Sequence, residues 1–359
     1  MNYIQNLFKK NFYLDLMVVI FLSHIYYRIT FIDKIADEFD LIKQIKENNV
    51  TSTSFFVESP TYTLIGLFLD VENLDIYKSL IYLITLICFL LIIINIQYLN
   101  KYSTIFLFGG WLITCSWFFG YVDIISVTLM TIICRNILQD NVGRFNMLIY
   151  FILLSINHNA ISLAVSLIFL ILVKKNQIIR LSITVVLSQI IGNSIVQFYL
   201  NYIGFSGRGR VRFVFNDNVI ESATSFVGEN ILIVLWSGFL GISFLILLTS
   251  NNLSWDRSKK IIVSTLIALF FTSIALDTSR IFSLLIVPII IFTLHMYKED
   301  VHIKNKLSLV YTVSIFLHFF IGIKYFYGEV LEESPMQNIE TFYDFIPRVF
   351  NSLMSNIWK

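Results

Sequence analysis

The chain has 359 residues, of which 57% are hydrophobic and only 14% charged, with a mean hydropathy of +0.75. Soluble domains run at about 45–50% apolar and about 25% charged, so an ordinary soluble protein is excluded and an all-α integral membrane protein is expected. The net charge of +2 does not point to nucleic acid; the distribution of the charges is what informs.

A span needs roughly 20 mainly apolar residues, and runs of that kind recur between short polar breaks. About 11 transmembrane helices are expected, near 12–32, 76–97, 103–119, 121–138, 145–157, 159–173, 179–203, 230–250, 260–276, 280–297 and 307–327. Met1–Lys10 lacks a cleavable signal pattern and reads as a retained cytoplasmic stub. With it inside, the inner segments are short and basic (Lys9, Lys10, Arg135, Lys174, Arg257, Lys260), while the outer ones are longer and acidic. The expected organisation is a polytopic domain over 1–327 and an outer amphipathic tail over 328–359, with the C-terminus outside. Cys88, Cys115 and Cys134 sit in apolar runs without metal or disulfide spacing and read as small buried hydrophobes. No internal repeat of the kind found in inverted-repeat transporters is visible.

In chain order, the first outer loop (33–75) opens with Asp37, Glu38 and Asp40. Residues 37 and 40 share a helical face, and Phe39, Ile42 and Ile45 line another. A second apolar stretch follows Pro60, so two interfacial helices are expected here. A carboxylate beside hydrocarbon is suited to general-base work, whereas capping of a helix N-terminus explains one or two of these acids. Asp123 ends the tight turn Phe119-Gly120-Tyr121-Val122-Asp123, where it either faces water or orients an acceptor. His158, in Asn157-His158-Asn159, titrates near neutrality and either handles a proton or simply turns the chain.

The second outer loop (204–230) carries Arg208, Arg210 and Arg212. Three guanidinium groups on an outer face, against the orientation rule, suit phosphate binding, by a headgroup patch or a specific lipid-phosphate clamp. Asp277-Thr278-Ser279-Arg280 places two charges between apolar runs, costly unless they pair or line a cavity. The two options are an internal Asp277–Arg280 salt bridge and a phosphate-holding Arg280.

Ala36-Asp37-Glu38-Phe39-Asp40 after the first span, Ser59-Pro60-Thr61-Tyr62 between two interfacial helices, and Gly120-Tyr121-Val122-Asp123 before the fourth span together resemble the GT-C glycosyltransferase superfamily. Leu276-Asp277-Thr278-Ser279-Arg280 is similar to Asp-x-x-Arg segments of bacterial relatives. The resemblance covers roughly the first 175 residues and is patchy beyond them; no Asp-x-Asp pair is present. It implies a bacterial cytoplasmic-membrane enzyme moving a sugar from a polyprenyl-phosphate donor to an outer-face lipid or glycan acceptor, with inversion. Asp37 or Asp40 would be the base, Asp123 a second acid, and Arg280 and Arg208 the holders of the leaving phosphate. A divalent metal, magnesium or manganese, is left open. The rival expectations are a polymerase or ligase of lipid-linked oligosaccharides, centred on the three arginines and His158, and a transporter or flippase.

Overall fold

A computed structural model describes residues 10–27, 29, 34–50, 59–143, 145–205, 217–243, 255–275, 277–298, 307–320, 325–326 and 330–331. These are helices and their connections, apart from a two-residue antiparallel pairing of β1 (Tyr325–Phe326) with β2 (Val330–Leu331). The three arginines at 208, 210 and 212, and all of the tail 328–359 except β2, lie outside the described residues.

The first helix, α1 (Lys10–Ile20), continues as a π-helical turn over Phe21–Tyr26. Next come α2 (Lys34–Lys46), α3 (Thr61–Phe68) and α4 (Leu74–Ile96). Asn73 caps α4, its Oδ1 accepting from the N–H groups of Asp75 and Ile76 at 2.7 and 3.3 Å. Then follow α5 (Ser103–Phe106), α6 (Gly110–Trp117), α7 (Asp123–Leu138), α8 (Phe145–Asn157), α9 (Asn159–Leu172) and α10 (Ile178–Tyr202). The last group is α11 (Asp217–Glu229), α12 (Ile231–Phe239), α13 (Trp255–Thr272), α14 (Thr278–Leu285), α15 (Val287–Lys298) and α16 (Leu307–Phe320).

Helices occur at both places where interfacial helices are expected after the first span, as α2 and α3, and they are docked on the bundle. Phe39 and Ile42 of α2, Tyr62 of α3 and Tyr77 of α4 are buried in one apolar cluster with Phe119 and Val122. Gly66 permits this approach, since a Cβ there would stand 2.4 Å from the Ile42 side chain. The far side of α3 remains apolar and open, with Phe68 88% exposed, as suits a helix lying on a bilayer surface. Along α10, Ile179, Ile183, Val186, Ile190 and Phe198 are all exposed. Their spacing of three, four or eight residues makes one continuous apolar stripe, which is a lipid-facing surface rather than a water-facing one. The chain is a helical membrane protein, and its three cysteines are buried and unbridged.

Eleven spans are not what the helices provide. Among the described residues three are long and apolar enough to cross a bilayer: Leu74–Phe106, Lys175–Tyr202 and Thr278–Lys298, of 33, 28 and 21 residues. A fourth results if Ile220–Glu229 and Ile231–Ile242, bent by 84°, form one broken span. The apolar runs are helical but interrupted. The expected span at 103–119 is cut at Gly109 into α5 and α6, and that at 230–250 is cut where Leu240 takes φ 43°. The 13 residues of α8 and 14 of α9 rise only about 20 Å at 1.5 Å each, short of a hydrocarbon core of about 30 Å. Apolar composition reports burial, in protein or in lipid alike, and both occur here: every residue of α6 is buried in protein, but only 22% of the apolar window in Lys175–Tyr202 is. The count of about eleven falls with this correction.

Candidate functional site: a charged cluster where three distant segments meet

Three segments well separated in sequence converge at one end of the bundle. Between α6 and α7 the chain reverses through Gly120, whose φ of 105° suits a residue without a Cβ. The turn closes with Tyr121 N–H donating to the Phe118 carbonyl at 3.1 Å. It delivers Asp123, fully buried, as the first residue of α7.

Arg280, in the first turn of α14, reaches this carboxylate from the second segment. Its Nε donates to Asp123 Oδ2 at 2.6 Å and its Nη2 to Oδ1 at 3.1 Å, while Nη1 donates to Asp277 Oδ2 at 2.7 Å. The two-point geometry on Asp123 is what a planar guanidinium does best. The group also lies 3.7 Å from the centroid of the Tyr121 ring, a cation–π contact. The Asp277–Arg280 salt bridge, one of the two options for this segment, is therefore present, but Asp123, 157 residues away, holds the guanidinium at two points.

The third segment is α2. Lys34 Nζ sits 4.2 Å from the same Tyr121 ring and pairs with Glu38 at 2.9 Å. Tyr77 of α4 donates its hydroxyl to Glu38 Oε2 at 3.3 Å. Both members of the pair are nearly inaccessible, at 5% and 3%. Burial pushes the Glu38 carboxyl up and the Lys34 ammonium down, and their pairing opposes both shifts. The cluster thus gathers Lys34 and Arg280 against Glu38, Asp123 and Asp277 around one tyrosine.

The residues singled out in the sequence divide around it. Glu38, Asp123, Asp277 and Arg280 are in the cluster. Asp37 and Asp40 are exposed on the outer side of α2, and Asp40 has Lys43 at 3.6 Å. His158 is 5% exposed in a turn docked at the same end. There Asn157 Nδ2 donates to the Val122 carbonyl at 2.8 Å and to Ser126 Oγ at 2.7 Å. Lys34, Tyr77 and Tyr121 were not singled out. The i,i+4 spacing of Lys34 and Glu38 is a legible pairing signal, whereas nothing local marks Tyr77.

The far end of the bundle holds another unexpected centre. Asp15, fully buried in α1, accepts from Gln97 at 2.7 Å, Ser103 at 2.6 Å and Thr104 at 2.5 Å. It reads in the sequence as an unremarkable inner acid, yet it ties α1 to the break after α4. A divalent metal does not fit the cluster at the other end: both Asp123 oxygens accept from Arg280, and no group of three His, Cys, Asp or Glu side chains suited to a metal occurs among the described residues. Neither family models, nor curated proteins, nor solved structures give a match to this chain.

Proposed function

We propose that the protein is an inverting membrane glycosyltransferase that uses a polyprenyl-phosphate sugar and works on the face of the membrane away from the cytoplasm. The observation that supports it is the convergence of the first loop helix, the turn ahead of α7 and the Asp277/Arg280 segment. These are three of the four places where the sequence resembles GT-C enzymes, the fourth being Ser59-Pro60-Thr61-Tyr62 at the start of α3. Asp37 is the base in this reading: it is exposed, in the first turn of α2, and the buried Lys34–Glu38 pair beside it holds that helix against the bundle. It takes the proton of the acceptor hydroxyl as that oxygen bonds to the anomeric carbon. The bond from that carbon to the phosphate oxygen breaks, and polyprenyl phosphate leaves.

Arg280 has five N–H donors, and three are committed to Asp123 and Asp277. Its role is then mainly to fix the turn and α14, and the leaving phosphate falls to Arg208, Arg210 and Arg212. The basic residues at the opposite end, among them Arg135, Lys174 and Lys298, favour that end as the cytoplasmic one. The proposal is tested in proteoliposomes with a panel of radiolabelled polyprenyl-phosphate sugars and an outer-face glycan extract. Label moving into the acceptor supports it, and no transfer from any donor contradicts it.

A further inference from the structure

A cavity of about 590 Å3 opens at the opposite end of the helices that carry the charged cluster. Asp123 begins α7 and Leu138, at the cavity, ends it; Arg280 and His295 stand in the same relation along Thr278–Lys298. Fifteen residues of helix separate each pair, about 22 Å at 1.5 Å per residue, so cavity and cluster lie at opposite ends of the bundle. Its volume lies within the roughly 300–1,000 Å3 of small-molecule sites.

The lining is divided in character. Ile137, Leu138, Leu172, Phe292 and Met296 make an apolar wall, whereas Lys174, Arg257, Lys260 and His295 bring basic groups, opposed by the one carboxylate of Asp256. Two of the cations are fixed in place. Lys260 Nζ donates to the Val173 carbonyl at 2.7 Å, and Lys174 pairs with Asp140 at 3.1 Å. Asp140 is itself bonded by Gln177, another residue of the lining. A soluble anion has no use for the apolar wall, and an apolar ligand gains nothing from the cations. An amphiphile with an anionic phosphate head satisfies both. Basic pockets between membrane helices on the cytoplasmic side bind such heads.

We propose that this cavity is a binding site for an anionic phospholipid of the adjoining leaflet. The phosphate lies among Arg257, Lys260 and Lys174, and an acyl chain runs along Leu138, Phe292 and Met296. The site is separate from the proposed transfer chemistry and stands whether or not that reading survives.

The test is lipid retention by the purified full chain in neutral detergent, read by native mass spectrometry against phosphatidylglycerol, phosphatidylcholine and inorganic phosphate. Wild type should hold phosphatidylglycerol saturably, at least tenfold more tightly than phosphatidylcholine, and inorganic phosphate at millimolar concentration should not displace it. Arg257→Gln removes an exposed cation, and Leu138→Trp fills the cavity without touching a charge. Each should weaken phosphatidylglycerol binding at least tenfold while leaving the melting temperature of the lipid-free protein unchanged. Equal retention of both lipids, displacement by inorganic phosphate, or full binding in both variants would overturn the proposal.

Discussion

Replacing Arg280 with alanine is expected to cost about 3–5 kcal/mol of stability, the usual penalty for breaking a buried ion pair from one side. The reason is what remains: Asp123, fully buried, loses both of its guanidinium hydrogen bonds, and Asp277 loses the one it accepts from Arg280 Nη1. Away from water, the Asp123 carboxylate is left without the guanidinium that holds both of its oxygens. Thermal unfolding in detergent reads the loss, and a change below about 1 kcal/mol, the scale of a surface pair, would contradict the account. The double variant Asp123→Asn/Arg280→Gln removes the charges together and should recover a good part of the loss. Simple additivity would mean that the two residues do not act as a pair.

A second large effect separates the three acids of α2. Asp37→Asn should lower the transfer rate at least about 100-fold, since a positioned base commonly contributes 10²–10⁴, while the melting temperature stays near wild type because Asp37 is exposed. Asp40→Asn should do little to either, its pair with Lys43 being long and solvated. Glu38→Gln removes the carboxylate that pairs with the buried Lys34 ammonium, so α2 loosens and stability and rate fall together. The pattern is the test: full transfer in Asp37→Asn, with loss of transfer but no loss of stability in Glu38→Gln, would move the base to Glu38.

Much of the site is legible in the sequence because an ionisable residue in an apolar chain has few places to go. Asp123, Asp277, Arg280 and the acids of α2 stand out for that reason, and the apolar faces of α2 and α3 are readable from helical spacing. Partner choice is not readable. That Asp123 and Arg280 meet depends on how α7 and α14 cross, and no local spacing encodes a contact across 157 residues. Glu38 rather than Asp37 faces inward because Lys34 and Tyr77 flank it there, a fact of tertiary packing. The span count fails for a related reason. Hydropathy does not distinguish a helix wrapped in lipid, such as α10, from a short helix such as α6, whose every residue is buried in protein.

The central claim is that the charged cluster and the basic cavity face opposite sides of the membrane, with the cluster outward. The most direct measurement is labelling of single introduced cysteines with a membrane-impermeant thiol reagent in intact cells. The native Cys88, Cys115 and Cys134 are buried and leave a low background. Asp37→Cys, at the cluster end, should be labelled in intact cells, and Lys174→Cys, at the cavity end, only after permeabilisation. Labelling of Lys174→Cys in intact cells with Asp37→Cys protected would reverse the orientation and contradict the proposed site.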